Sequence, residues 1–480
     1  MNTNAAISNW QRWVFGAFGA LTAASCALAF YVEKPALAGA PLLLLVMAWG
    51  ILNYKSLYYF LLIMVPCSIE YYFSDSLATD LPTEPLMIGM MLIGLVMLVY
   101  RATEWPKGFF LHPLMIALGF HLFWIVVTAI NSENVLHSVK ILLAKTWYIM
   151  AFTVMTALVV QSAQDIRRMF WCIFIPLIVL TLITVMRHGL IYQFGFAEVN
   201  KCVTPYFRNH VNYAAILSVF FPFVLLARSW YEKGTWMHFW LSCAIVFLIA
   251  AIYLSYTRTA MLAVLAMIPF YFVVRWKLMR YAMLGALVLL SVVIIRTVHN
   301  NHYMKYAPDF EATVYHDDFG SHVGSTFEGK DVSSMERVYR WVAAMRMARE
   351  RPWMGVGPGN FFDYYKSYTV TNFETYISDN EERSTVHNYF LLMLSEQGFP
   401  GLLIFLGLMV ALFLYGERIY ARAASDADRR TVMMLLLMLL SVYVNLLLSD
   451  MLESDKVGPF FFMAMALLVL ADKKIISAEG

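Results

Sequence analysis

Long apolar runs broken by short polar segments dominate this chain. A helix that crosses lipid needs about 20 mainly apolar residues, within a range of roughly 17–25. Runs of this kind stand at 12–31, 36–52, 57–73, 85–100, 110–130, 141–161, 169–186, 210–228, 236–256, 259–274, 283–298, 398–415, 431–449 and 457–471. Several are short, so twelve to fourteen spans are expected. Lipid offers the backbone no hydrogen-bond partner, so runs of this length are read as helices. The first has no evident small-residue cleavage site and is read as a span rather than a leader.

Lys and Arg orient the spans, because basic residues concentrate in short cytoplasmic loops. A cytoplasmic N-terminus puts Arg12, Lys55, Arg101, Lys107, Arg167, Arg168, Arg228, Lys233, Arg275, Lys277, Arg280, Arg418, Arg422, Arg429, Arg430, Lys473 and Lys474 on one side. The loops left on the other side include 74–84, with Asp75, Asp80 and Glu84, and 450–455, with Asp450, Glu453 and Asp455. Both termini are therefore expected in the cytoplasm. A hydrophilic segment, 299–385, and a shorter loop, 187–209, fall outside it. Three regions follow: a transmembrane bundle over 1–298, an outer loop over 299–385 carrying short helices and elements of the site, and amphipathic and transmembrane helices over 386–480. The expected fold is an all-α polytopic membrane protein of 12–14 transmembrane helices with one large outer loop.

Composition agrees. Of 480 residues, 61% are hydrophobic and 14% charged, whereas a soluble domain has about 45–50% apolar and about 25% charged residues. That excess excludes a soluble enzyme, and a net charge of +3 gives no case for a nucleic-acid partner. The cysteines Cys26, Cys67, Cys172, Cys202 and Cys243 are odd in number and scattered, with neither a disulfide framework nor a CxxC pair.

Basic residues on the acidic side carry the information. Arg258 lies between two apolar runs at their outer ends. A guanidinium near hydrocarbon is costly unless it snorkels to the interface or faces a cavity or an anion, and its planar fork matches phosphate oxygens. Arg337 and Arg340, three apart on an expected outer-loop helix with Trp341, share a face and can point two cations at one diphosphate. Ser333 and Glu336 form a capping box for that helix, which is expected to run to about Arg351 and end at Pro352 and the glycines 355, 357 and 359. Arg208, beside Asn209 and His210, is another phosphate candidate, with Lys140 and Lys145 weaker ones. His387, followed by Asn388, is expected at the outer end of a helix, on one face with Leu391 and Leu394. A neutral imidazole there could accept a proton from a hydroxyl. Gly398 and Gly401 permit a break in that helix. Two lookalikes are set aside: the glycine run 355–359 has no βαβ context, and His316, Asp317, Asp318 and His322 lie in a polar loop with little claim to a metal.

His387-Asn388, nine residues, then Gly398-Phe399-Pro400-Gly401 resembles the H-[NSQ]-x9-G-x-x-[GTY] pattern of O-antigen ligases. Arg258-x3-Leu262 resembles that family's R-x3-L motif, and Arg337, Trp341 and Pro352–Phe361 resemble a segment of the wider ligase and polymerase superfamily. The resemblance runs from about 200 to 470. It implies a glycosyltransferase that moves a glycan from undecaprenyl diphosphate to lipid A–core at the periplasmic face of the inner membrane. The residues suit this: His387 is expected as general base, Arg258, Arg337, Arg340 and Arg208 are the cations available to the diphosphate, and Asn388, Gly398 and Trp341 support them. With no carboxylate pair arguing for a covalent intermediate, direct displacement with inversion is expected, with no metal or other cofactor. Chain polymerases and protein O-oligosaccharyltransferases share these features and stay open. A transporter or flippase would instead place ionisable residues at mid-span.

Overall fold

The computed structural model describes residues 9–74, 77–100, 105–298, 332–369 and 385–476. Among them, ten helices are long and apolar enough to cross a membrane, and four shorter apolar helices accompany them. Together they occupy the fourteen positions expected from the apolar runs. The chain is an all-α polytopic membrane protein.

Burial sorts the helices into layers. The helices His210–Arg228, Asp426–Leu446 and Gly458–Asp472 are buried along most of their length and form the centre. Phe170, Phe220, Phe223 and Trp230 stack into one aromatic cluster beside them. The helices Trp13–Tyr31 and Trp236–Leu254 keep most of their apolar surface outward. In water such a surface would drive association; in lipid it is simply solvated.

The polar ends meet as the charge pattern requires. At one end His112 Nε2 lies 3.3 Å from Asp472 Oδ2, Lys473 Nζ donates to the Lys107 carbonyl at 2.7 Å, and the Arg167 guanidinium covers Trp230. At the other, Arg208 pairs with Asp80, Lys145 with Glu453, and Tyr256 with the Phe194 carbonyl. Residues expected on one side of the membrane thus contact one another.

Four local differences from the sequence expectation matter. The 57–73 run stops as a helix at Cys67 and becomes an antiparallel hairpin, Ile69–Ser74 with Leu77–Leu81, that pairs Glu70 with Asp80. The 141–161 span begins earlier, at Val135, and contains a π-helical turn at Met150–Val154. The 398–415 span belongs to a longer element, Tyr389–Arg422, with non-helical backbone at Gly398. The fourth concerns His387, taken up below. In the outer loop, helices cover Val332–Glu350 and Phe361–Tyr368, close to the expected start and end of the first. The side chains of Ser333 and Glu336 lie outside the described residues, as do His316, Asp317, Asp318 and His322.

Candidate functional site

His387 is not helical. Its φ is +53°, a left-handed conformation that a residue with a Cβ rarely adopts. The following residue, Asn388, is the N-cap of Tyr389–Arg422: its Oδ1 accepts from Leu391 N at 3.0 Å, while Nδ2 donates to the Leu447 carbonyl at 2.9 Å. Asn388 therefore fixes the helix start and ties it to the end of the Asp426–Leu446 helix. Because the helix begins only after it, His387 cannot share a helical face with Leu391 and Leu394. The left-handed residue instead turns the imidazole aside, so that Nδ1 stands 4.0 Å from Asp450 Oδ1. Thr385 Oγ1 donates to the other Asp450 oxygen. Strain of about 1–3 kcal/mol per such residue persists only where surrounding contacts hold it, and here Asn388 and Asp450 do so.

The Val332–Glu350 helix brings the arginines. Arg340 is only 2% exposed, and its Nε has no hydrogen-bond partner among the described residues. Arg337, one turn earlier, is partly buried on the same side. Their charges reach the imidazole: burial first, then Arg340 and Arg337, hold His387 down at about 3. Burial and the neighbouring Glu453 push the Asp450 carboxyl up to about 6, against the opposing pull of Arg340 and Arg208. A partly exposed imidazole thus faces a carboxyl group and lies within the electrostatic reach of two guanidinium groups, which with burial disfavour its charged form. Trp341 packs against the core behind them.

The glycine-rich segment after this helix is a docking device. Val356 N donates to the Ser395 carbonyl at 3.0 Å, Gly357 N to the Glu396 carbonyl at 2.9 Å, and Phe399 N to the Pro352 carbonyl at 2.8 Å. The first two bonds use the Ser395 and Glu396 carbonyls, and the third the Phe399 N–H, that the break at Gly398 releases. Gly398, at φ +69°, and Gly355, at φ +64°, each pass so close to the opposing backbone that a Cβ would collide with it. Buried Glu396 adds a bond from Phe361 N to Oε1 at 3.1 Å, and Ser138 Oγ donates to the Pro358 carbonyl at 2.7 Å. The outer-loop helix is thereby registered against the start of the His387 element.

The remaining candidates are differently placed. Arg208 is held by Glu70 Oε1 at 3.1 Å and Asp80 Oδ2 at 3.2 Å, under the hairpin. Arg258 is the first residue of Arg258–Arg275, partly buried at the same end of the bundle as His387. Its neighbour Thr257 lies 3.1 Å from His210 Nδ1, and Leu262 faces outward. Lys145 is buried against Glu453 Oε1 and Tyr389 OH, each at 2.7 Å, and Lys140 is exposed. So the structure joins His387, Asn388, Arg337 and Arg340, and leaves Arg208 in its own ion-paired cluster. Sequence reasoning missed Asp450 as the partner of His387. Its only signal was an acidic residue in an outer turn, and nothing in the spacing joins 387 to 450.

A many-span helical membrane protein with its convergent polar groups at one end is the class that this fold and site define. The family model described as O-antigen ligase matches residues 243–406, which include Arg258, Arg337, Arg340, Trp341, His387 and Gly398. The match spans the segment in which the motifs at Arg258, Arg337 and His387 resemble that family. No curated protein matches the chain.

Proposed function

We propose that the protein transfers a glycan from undecaprenyl diphosphate to lipid A–core, at the periplasmic face of the bacterial inner membrane. The observation that carries this reading is the contact of His387 Nδ1 with Asp450 Oδ1 at 4.0 Å, within the electrostatic reach of Arg337 and Arg340.

The chemistry follows from charge. Diphosphate is already a good leaving group, so the main requirement is stabilisation of the charge it develops. Arg337 and Arg340 supply two forks on one helix face, and Arg258 a third cation at the same end of the bundle. Arg208, neutralised by two carboxylates, contributes only a longer-range field at Asp450. The acceptor oxygen attacks the anomeric carbon from the face opposite the diphosphate. Its O–H proton passes to His387 Nε2, the C–O bond to phosphate breaks, and the electron pair leaves with the diphosphate. The configuration inverts. Asp450, facing Nδ1, balances the imidazolium that forms.

An imidazole held at about 3 by burial and two guanidinium groups is a feeble base. A bound diphosphate would cancel the two guanidinium charges that depress it, so its basicity rises as the donor arrives. The base is thus armed by the donor.

Reconstitution of the purified protein with a lipid-linked glycan and three acceptors tests the assignment: lipid A–core, a second lipid-linked glycan, and a protein. Glycosylation of lipid A–core supports the ligase reading. Glycosylation of either other acceptor instead would replace it with chain polymerisation or protein O-glycosylation.

A further inference from the structure

A second polar constellation lies under the hairpin. Ser68, Glu70, Tyr72, Asp80, Tyr206, Phe207, Arg208, Asn212, Asp455 and Lys456 line a cavity of about 220 Å³. It is smaller than the roughly 300–1,000 Å³ of sites for drug-sized ligands and suits a single ring. The hairpin and the turn from 447 to 457 form opposite walls, and Asp450 with its contact to His387 belongs to the same turn.

The lining rules out an anion clamp. Arg208 is shared by Glu70 and Asp80, and Lys456 Nζ lies 3.1 Å from Asp455 Oδ2. Lys456 further donates to the carbonyls of Val65 and Ser68 at 3.0 and 3.1 Å. Three carboxylates against two cations leave no surplus positive charge for a phosphate. Burial, with Asp455 nearby, pushes Asp80 up to about 7, so this carboxyl can both donate and accept near neutral pH. Asn212, only 7% exposed, presents a carboxamide in the lining. A carboxamide can both donate to and accept from a hydroxyl-bearing ligand. The partly exposed ring of Tyr206 adds an apolar face, and Tyr72, 62% exposed, stands at the rim. Paired carboxyl, carboxamide and guanidinium groups beside aromatic faces match the hydroxyl edges and C–H faces of a hexose.

We propose that this cavity is a sugar subsite, taking one uncharged hexose-type ring of a glycan substrate across the 447–457 turn from His387. The proposal rests on the glycosyltransferase reading for its physiological ligand. The ring could belong to the donor glycan or to the acceptor, since both present the same chemistry.

Saturation-transfer NMR on the full-length protein in detergent, with methyl glycosides of glucose, galactose and N-acetylglucosamine, tests binding directly. At least one glycoside should show transfer with the wild type and with His387→Ala. Asn212→Ala and the exposed-rim variant Tyr72→Ala should each weaken it about tenfold, the equivalent of about 1.4 kcal/mol. Absence of transfer with every glycoside, or equal transfer in both rim and wall variants, would overturn the proposal. In the glycan-transfer assay, Tyr72→Ala should raise the KM of the substrate whose ring occupies the cavity and leave kcat unchanged. A KM unchanged for both substrates would count against it. Intact glycoside binding by a protein that transfers no glycan would instead defeat the proposed function while the sugar subsite stands.

Discussion

His387 Nδ1 stands 4.0 Å from Asp450 Oδ1, and the guanidinium of Arg340 favours the deprotonated form of both groups, adding to burial at the imidazole and opposing it at the carboxyl. It holds the imidazole uncharged and favours the carboxylate. The pair is therefore set as neutral base and anionic partner over one pH window, and that window makes the first prediction.

As pH falls, Asp450 takes up its proton near 6 while His387 stays uncharged to about 3. Above about 6 the pair is imidazole with carboxylate; below it, the imidazolium formed in transfer loses its counter-charge. The value of kcat/KM, which reports the free enzyme, should decline below about pH 6 and level off above it. Asp450→Asn should remove that limb and lower kcat by roughly ten- to a hundred-fold, through loss of a counter-charge close to the imidazolium. A pH–rate profile of both proteins checks this.

Arg340 should matter more than its distance from the surface suggests. Arg340→Gln should lower transfer by about 10²–10³-fold, as loss of one donor to a developing anion does. It should also raise the His387 pKa, because one of the two cations that depress it is gone. NMR titration of the imidazole reads the second effect apart from the first. Arg337→Lys and Arg258→Lys should recover little activity, because the charge remains but the fork is lost.

Gly398 and Gly355 should resist any side chain. At each, a Cβ meets opposing backbone, and φ is positive. Gly398→Ala should cost about 2–5 kcal/mol from the two effects together, seen as earlier thermal unfolding in detergent. Gly407→Ala, on the same helix with open space around it, should leave stability unchanged.

Guanidinium groups in place of a divalent ion predict indifference to chelators. Transfer by purified protein should survive EDTA. Abolition of activity by EDTA, restored by a divalent cation, would replace the arginine clamp with a metal.

Much of the fold was legible in the sequence because hydropathy reports the solvent directly: every apolar run contributes a helix, although the 57–73 run ends in a strand, and residues at the two ends contact one another as their charges suggest. The hairpin was not, since Ile69–Leu81 continues the apolar run past Cys67 and only pairing of Glu70 with Asp80 gives it away. The site was half legible. His387, Arg337 and Arg340 carry recognisable types at helical or motif spacing. The His387–Asp450 contact depends on one left-handed residue and on Asn388 binding the Leu447 carbonyl, neither of which leaves a local trace. Arg208 read as a phosphate ligand because its carboxylate partners stand far away along the chain, at Glu70 and Asp80.

The most direct test compares the wild type with His387→Ala in proteoliposomes holding an undecaprenyl-diphosphate glycan, measuring donor binding and glycan transfer on the same preparation. Donor binding should persist while transfer falls by about 10²–10⁴-fold, the range for removal of a general base. Transfer at near-normal rates by His387→Ala would contradict the account.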